Sequence, residues 1–167
     1  MEKEIRLTIQ IKTMDMFRFF MKHFYSGFSG IFGVILSVGA MGFLLATFQS
    51  RDEFQILILA VLASLFTVLQ PIQFLMKAYQ QVHMMPLYKA PIDYIFNDAG
   101  IHVKQNEETV DLPWDKIYKV VEGGKGLYIY TSPVHSFIFP KNQMNDNTEN
   151  VKAFLKEKVV AVKCKLK

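Results

Sequence analysis

The sequence predicts an α+β protein, in which a hairpin of two membrane-spanning helices is attached to a small antiparallel β domain that a C-terminal helix closes. Two observations lead to this fold class. Hydrophobic residues make up 51% of the 167 residues, and they concentrate in two uncharged stretches between residues 24 and 76. The chain then changes to short aliphatic and aromatic segments interrupted by glycine, proline and asparagine, which is typical of β-strands joined by turns.

Residues 1–23 are predicted to join the β domain and to lead into the first span. Aliphatic residues alternate with polar ones from Ile5 to Ile11, which indicates a half-buried strand. Thr13 can cap a short helix over residues 14–23. We expect the strand to pair with the β domain and to cover one exposed sheet edge.

Residues 24–76 form the predicted transmembrane hairpin. The uncharged segments 25–48 and 54–76 are each long enough to cross a hydrocarbon core of about 30 Å, and they are separated by a short charged turn around Arg51. The alternative is a buried helical hairpin in a soluble protein, which would need more chain than remains to enclose two fully apolar helices.

Basic residues flank the hairpin on one side of the membrane. Five precede the first span and two follow the second, whereas the turn has one. The positive-inside rule therefore predicts a multi-pass protein of the cell membrane with both termini in the cytoplasm. The flanking basic residues are Lys3, Arg6, Lys12, Arg18 and Lys22 before the hairpin, and Lys77 and Lys89 after it.

A stripe of small residues runs along one face of the first span, where a second helix can approach closely. Its members are Ser26, Gly30, Gly33, Ser37 and Ala40. Packing against the second helix of the same chain and association with another membrane protein or a second copy are both compatible with it. In the second span, Pro71 removes a backbone hydrogen bond, so we expect a kink and a freed carbonyl that a glutamine amide can satisfy.

Residues 77–91 are predicted to be a linker, and residues 92–167 to be the cytoplasmic β domain. Strands are expected at 94–96, 101–104, 109–112, 117–122, 127–131 and 135–139, since turn residues separate these segments. The spacing suits one strongly bent antiparallel sheet. An amphipathic helix over residues 147–162 closes the chain, with Val151, Phe154, Leu155 and Val159 on its apolar face.

Several segments resemble the YcxB-like membrane proteins of bacteria. They are the N-terminal strand, the two spans, and then YIFNDAGIHV, LPWDKIYKVVE, GLYIYTS and FIFPK. The resemblance implies a C-terminal domain similar to bacterial pleckstrin-homology-like (PH-like) domains, and it implies no catalytic activity. Trp114 is expected to begin a strand and to fill the core of this domain, with one partner for its indole N–H; stacking on a ligand is the alternative.

The C-terminal end is locally basic. A face made of Lys152, Lys156, Lys158, Lys163, Lys165 and Lys167 would be attracted to an anionic membrane surface. The alternative is a solvated helix face that keeps the domain soluble.

The sequence provides no candidate catalytic, cofactor-binding or metal-binding residues. The acids Asp98, Asp111, Asp115 and Glu122 are expected to be solvated groups at turns and strand ends, without the paired spacing of an acid–base site. The four histidines have no metal-ligand spacing, and Cys164 has no base to activate it. Basic and acidic residues nearly balance after the hairpin, which argues against nucleic-acid binding.

Two functions are compatible with these patterns. The first is a membrane-anchored, non-catalytic interaction module that binds a cytoplasmic protein segment or an anionic membrane surface. The alternative is a small membrane subunit or immunity-type protein that acts through its transmembrane helices. In either case the lipid bilayer is a partner, and a protein partner or a homo-oligomer is possible.

Overall fold

The computed structural model describes residues 4–144, 147–160 and 163–166. Within these residues it contains six α-helices and eight strands, so the predicted α+β class is confirmed. The helices are α1 Thr13–Tyr25, α2 Phe28–Thr47, α3 Glu53–Ser64, α4 Gln70–Met84, α5 Lys141–Met144 and α6 Asn147–Lys158. The strands are β1 Ile5–Ile9, β2 Ile92–Phe96, β3 Gly100–Gln105, β4 Glu108–Pro113, β5 Lys119–Glu122, β6 Gly126–Tyr130, β7 Ser136–Pro140 and β8 Cys164–Lys165.

The chain enters the hairpin through α1, which ends at a break before α2. Thr13 is the first residue of α1 rather than its cap, so that prediction was wrong. The Asp15 carboxylate instead accepts a hydrogen bond from the Lys12 N–H (3.2 Å), which satisfies a backbone donor at the start of the helix. The helix α1 then lies between α4 and the strands β6 and β7. There the ring centroids of Phe19 and Tyr128 are 5.5 Å apart.

The hairpin lies outside the core of the β domain. Segments 28–50 and 53–84 are long and apolar enough to cross a membrane. Most of their large apolar side chains are exposed; Phe28 is 83% exposed and Leu45 is 72% exposed. A core helix of a soluble protein would bury such side chains, so this arrangement favours the hairpin over the buried alternative.

The second long helix continues further than predicted. Residues 77–84 belong to α4, so the expected linker at 77–91 begins in a helix and is limited to the residues after Met84. The physical reason is amphipathicity: Ala78 of α4 is buried, because this segment packs along α1.

A π-helical turn, Leu65–Leu69, joins α3 to α4. In this turn the Gln70 N–H donates to the carbonyl of Leu65, five residues earlier. The same register would give the Phe66 carbonyl a bond from residue 71, but Pro71 has no N–H. The Tyr25 hydroxyl donates to the Phe66 carbonyl instead. The freed carbonyl was thus predicted correctly, and its partner is Tyr25, the last residue of α1, rather than a glutamine.

The strands form two four-stranded sheets in the described part of the chain, rather than the single bent sheet that we expected. Their orders are β1-β2-β3-β4 and β7-β6-β5-β8. The break falls after Pro113, where a short 3₁₀ turn, Trp114–Lys116, leads the chain from one sheet to the other. As predicted, the N-terminal strand joins the domain, because β1 pairs with β2 in antiparallel register from Ile5↔Phe96 to Ile9↔Ile92.

The C-terminal helix α6 closes the domain as predicted. The residues Val151, Phe154, Leu155 and Val159 are all buried. The helix ends at Lys158, short of the predicted residue 162, which lies outside the described residues. The chain then adds β8, which pairs in parallel with β5 and was not predicted.

Candidate functional site

A pocket of about 360 Å³ lies in the opening between the two sheets, which do not close into a barrel. This volume is in the range typical of ligand sites, and the walls are mostly apolar, as such sites require. We call it the inter-sheet pocket. It is lined by Ile11, Leu87, Tyr88, Ile92, Tyr94, Val103, Thr131, His135, Ser136, Phe137 and Ile138.

The position of the pocket follows from the ends of the helices. Ile11 lies just before α1, and Leu87 and Tyr88 follow the end of α4, so the two connections between the hairpin and the domain form part of the wall. Below them, the side chain of Gln143 accepts from the Gln10 N–H (2.8 Å) and donates to the Gln10 carbonyl (2.9 Å). These bonds fix the chain between β1 and α1 against α5, next to the pocket.

One side of the pocket is β7, which among the described strands pairs with β6 alone. The Thr131 N–H donates to the His135 carbonyl (3.1 Å), which is a hydrogen-bonded pair at the end of the β6–β7 ladder. Such pairs alternate along antiparallel strands, so Phe137 bonds to β6 while Ser136 and Ile138 direct their N–H and C=O groups away from it. None of the described residues bonds to these outward groups.

The Ser136 side chain adds another unsatisfied group. Its hydroxyl oxygen is buried and has no hydrogen-bond partner among the described residues, and it is the single such side-chain atom in that part of the chain. A buried hydroxyl without a partner is rare, because its desolvation is not compensated. The β7 wall of the pocket therefore contains a buried polar group that no described residue satisfies.

The titratable side chains among the described lining residues of the pocket are Tyr88, Tyr94 and His135. Burial raises the pKa of Tyr94 well above its usual value. Burial also raises the pKa of Tyr88, although a hydrogen bond from Gln81 opposes this effect. His135 is exposed and its Nδ1 atom lies 3.0 Å from the Ser132 hydroxyl. No lysine, arginine, aspartate or glutamate is among the described lining residues, so the pocket suits an uncharged group.

The predicted stripe of small residues packs mainly within the hairpin. A side chain at Gly33 would collide with the Phe66 ring of the second helix. The Ser37 hydroxyl donates to the Leu62 carbonyl (3.0 Å) and accepts from the Phe66 N–H (3.3 Å). Gly30 instead abuts the backbone of Phe24 at the break before α2. Of the remaining members, Ser26 is exposed and Ala40 is partly exposed.

The predicted basic face does not form a continuous surface. Lys152 is buried, and its ammonium group lies 3.0 Å from the Glu149 carboxylate and 3.4 Å from that of Glu122. Lys158 pairs with the Asp98 carboxylate at 2.6 Å. The other members differ in their surroundings. Lys163 donates to the carbonyl of Ile117, Lys156 and Lys165 are exposed, and Lys167 lies outside the described residues.

Glu122 was expected to be solvated, and this prediction was wrong. Its side chain is 6% exposed. Its carboxylate forms ion pairs with the ammonium groups of Lys141, at 2.5 Å, and Lys152. Glu122 is on β5, Lys141 on α5 and Lys152 on α6. This ion cluster therefore links three elements of the domain.

Trp114 lies at the edge of the core rather than at its centre, and it begins the 3₁₀ turn rather than a strand. Its ring packs near those of Phe96 and Phe154, with centroid separations of 6.4 Å and 5.6 Å. The indole N–H donates to the carbonyls of Asn97 (3.1 Å) and Asp98 (3.2 Å). Trp114 thus ties the β2–β3 turn to α6, and the expected position at the start of a strand was wrong.

Sequence reasoning did not single out the residues of the inter-sheet pocket. They come from six separate segments, and each fits the local pattern of a strand, a turn or a linker. Ser136 in particular occupies an ordinary strand position. Nothing in the local sequence marks it as unsatisfied, since its environment depends on pairing between distant segments.

A comparison with protein families gives one match, to the model described as "YcxB-like protein", over residues 96–157. The match runs from the end of β2 into α6, and it includes the pocket residues on β3 and β7. It leaves out β1, the two long helices and the connection at Leu87. No match was found among curated proteins or among solved structures.

Proposed function

We propose that this chain, which is YcxB-like over residues 96–157, is a membrane-anchored, non-catalytic interaction module that binds a segment of a cytoplasmic protein. The observation that carries the proposal is the inter-sheet pocket, with its mostly apolar walls and no charged side chain among its described lining residues. The hairpin holds this pocket near the membrane, in a multi-pass protein of the cell membrane whose two termini are cytoplasmic.

The distribution of basic residues supports this orientation. Arg18 and Lys22 on α1 and Lys77 on α4 lie on the side of the hairpin that carries the β domain, and Arg51 alone lies at the opposite turn. Basic residues are retained on the cytoplasmic side during insertion. The β domain and its pocket therefore face the cytoplasm in this proposal.

A protein segment fits the observations better than an anionic membrane surface. Membrane-surface binding needs several free basic side chains on one face, each contributing about 1 kcal/mol. Here Lys152 and Lys158 are engaged with carboxylates, and Lys163 is bonded to a carbonyl. The pocket, by contrast, offers depth and apolar area at one place.

The alternative, in which the hairpin itself is the functional part, has less support. The close approach that the small residues permit is used within the chain, by the Phe66 ring at Gly33 and by the hydrogen bonds of Ser37. What the hairpin presents outward is a set of large apolar side chains such as Phe28 and Ile35, and these need no partner other than lipid.

Site-specific photocrosslinking in native membranes tests the proposal. A benzophenone amino acid is placed at Leu87, which lines the pocket and is 50% exposed, and as a control at Val110, which is 58% exposed on the outer strand β4. We expect an adduct with a second, different protein from position 87 and none from position 110. Crosslinking to lipid alone, or equal adducts from both positions, would refute the proposal.

A further inference from the structure

We infer that the partner segment carries an acidic side chain beside its apolar one, and that the acidic side chain binds in a basic groove next to the inter-sheet pocket. This inference rests on the proposed function and specifies the chemistry of its ligand. The groove shares part of its wall with the pocket, and its basic side chains are exposed and lack a carboxylate partner in the described part of the chain.

The groove is an open cavity of about 580 Å³, and it lies where the connection that precedes α1 meets the end of α4. We call it the basic groove, and its lining includes Gln10, Ile11, Lys12, His83, Tyr88 and Lys89. Two of these residues, Ile11 and Tyr88, also line the inter-sheet pocket. A segment that inserts one side chain into the pocket can therefore place a neighbouring side chain in the groove.

Contacts within the chain set the shape of the groove. The Gln10 side chain donates to the Lys89 carbonyl (3.2 Å), which joins the two connections of the hairpin. The imidazole of His83 stacks on the Tyr79 ring with 4.1 Å between centroids, and its Nδ1 lies 2.9 Å from the Tyr79 carbonyl. A carbonyl only accepts, so Nδ1 carries a proton. A carboxylate in the groove would bind the protonated ring through Nε2.

The basic side chains of the groove are available to an anion. Lys12, His83 and Lys89 are all exposed, and no described carboxylate forms an ion pair with any of them. Asp15, the acid closest in sequence to Lys12, is buried and engaged elsewhere. Its carboxylate accepts from the Lys12 N–H (3.2 Å) and pairs with the Arg18 guanidinium (3.5 Å). No aspartate or glutamate is among the described lining residues of the groove.

Charge complementarity selects the class of segment. A carboxylate in the groove is attracted to two ammonium groups and an imidazole, whereas a lysine or arginine there would be repelled by them. The adjoining pocket favours an apolar side chain, because no lysine, arginine, aspartate or glutamate is among its described lining residues. The two sites together therefore fit a segment in which an acidic residue lies close to an apolar one.

Charge reversal in native membranes tests this inference. The benzophenone amino acid is placed at Leu87 of the full-length chain, and its protein adduct is compared with and without Lys12→Glu/Lys89→Glu. The matched control is Lys104→Glu/Lys116→Glu, which changes the net charge equally at two exposed lysines outside both sites. Lys12→Arg/Lys89→Arg keeps the charge and reports on substitution as such. The crosslinked segment is identified by mass spectrometry and synthesised for binding to the chain in nanodiscs of zwitterionic lipid.

We expect an aspartate or glutamate close to the crosslinked residue of the segment. Lys12→Glu/Lys89→Glu should weaken peptide binding about tenfold or more and lower the adduct yield, since two attractions become repulsions. The control pair and Lys12→Arg/Lys89→Arg should change neither quantity. A peptide whose acidic residue is replaced by lysine should bind the reversed groove better than the original one. A folding defect cannot produce this exchange of preference.

The outcomes separate this inference from the proposed function. If the adduct from position 87 keeps its full yield after charge reversal, or if the segment has no acidic residue near the crosslink, the inference is wrong while the proposed function stands. If the reversal lowers crosslinking to anionic lipid alone, the groove takes a headgroup, and the inference is equally wrong. If position 87 gives no protein adduct in any background, both fail. An adduct with twice the mass of the chain would make the occupant a second copy and overturn the inference as stated.

Discussion

At the scale of single residues, Ser136 carries an unfavourable burial. Its hydroxyl is buried without a partner among the described residues, so replacing it removes a desolvation penalty rather than a hydrogen bond. We expect Ser136→Ala to stabilise the free chain by about 1 kcal/mol. Unfolding in detergent would measure this change.

Ser132→Ala is the matched control for this substitution. The Ser132 hydroxyl accepts hydrogen bonds from the N–H groups of Val134 (3.3 Å) and His135 (3.0 Å), so its removal should destabilise the chain by about 1 kcal/mol. Opposite signs at two serines four residues apart are the expected result. If Ser136→Ala destabilised the chain as much as Ser132→Ala, the hydroxyl of Ser136 would have a partner after all.

Glu122 gives a second prediction at the residue scale. Its carboxylate lies between the ammonium groups of Lys141 and Lys152, so Glu122→Gln removes a carboxylate partner from both lysines and leaves Lys152 with that of Glu149. We expect a loss of about 3 kcal/mol in the free energy of unfolding. Adding Lys152→Met to Glu122→Gln should restore part of this loss, and a double variant no more stable than the single one would contradict the account.

At the scale of elements, the π-helical turn is bonded to the C-terminal end of α1. The Tyr25 hydroxyl bonds to the Phe66 carbonyl, which Pro71 leaves without a backbone donor. Tyr25→Phe should therefore destabilise the hairpin by about 1 kcal/mol. Unfolding by SDS titration from mixed micelles would measure the change.

A double-mutant cycle tests the cause of this effect. Pro71→Ala restores an N–H five residues after Phe66, so the hydroxyl of Tyr25 becomes dispensable. We expect Tyr25→Phe to have little effect in the Pro71→Ala background. Strictly additive effects of the two substitutions would show that Tyr25 does not act through this carbonyl.

The elements that the sequence predicted well are those determined by local pattern. Alternation predicted β1, the turn residues between apolar segments predicted the strands from β2 to β7, and the apolar spacing of α6 predicted its buried face. Two features were missed because they depend on distant residues. The strand β8 is two residues long and exists by pairing with β5, and the π-helical turn is fixed by Tyr25 across the hairpin.

The candidate site was less predictable than the fold for the same reason. The lysines near the C terminus look alike in the sequence, yet Lys152 is buried beside Glu122 while Lys156 is exposed. The difference arises from packing of α6 on the sheets. Similarly, Leu87 and Ser136 are far apart in the chain, and folding brings them to one pocket.

At the scale of the whole molecule, the account requires the hairpin turn and the pocket to lie on opposite sides of the membrane. In a Cys164→Ala background, which removes the native cysteine, Gln49→Cys should react with a membrane-impermeant maleimide on intact cells. Leu87→Cys should react only after the cells are opened. The reverse pattern would place the β domain outside the cell.

The most direct test of the central claim compares the pocket in its native membrane with the pocket in isolation. Maleimide labelling rates of Leu87→Cys and Val110→Cys, each in the Cys164→Ala background, are measured in inside-out native vesicles and in liposomes containing only the purified chain. The account predicts that Leu87→Cys reacts more slowly in native vesicles, where the partner covers the pocket, while Val110→Cys reacts equally in both. Equal rates at position 87 in the two preparations would contradict it.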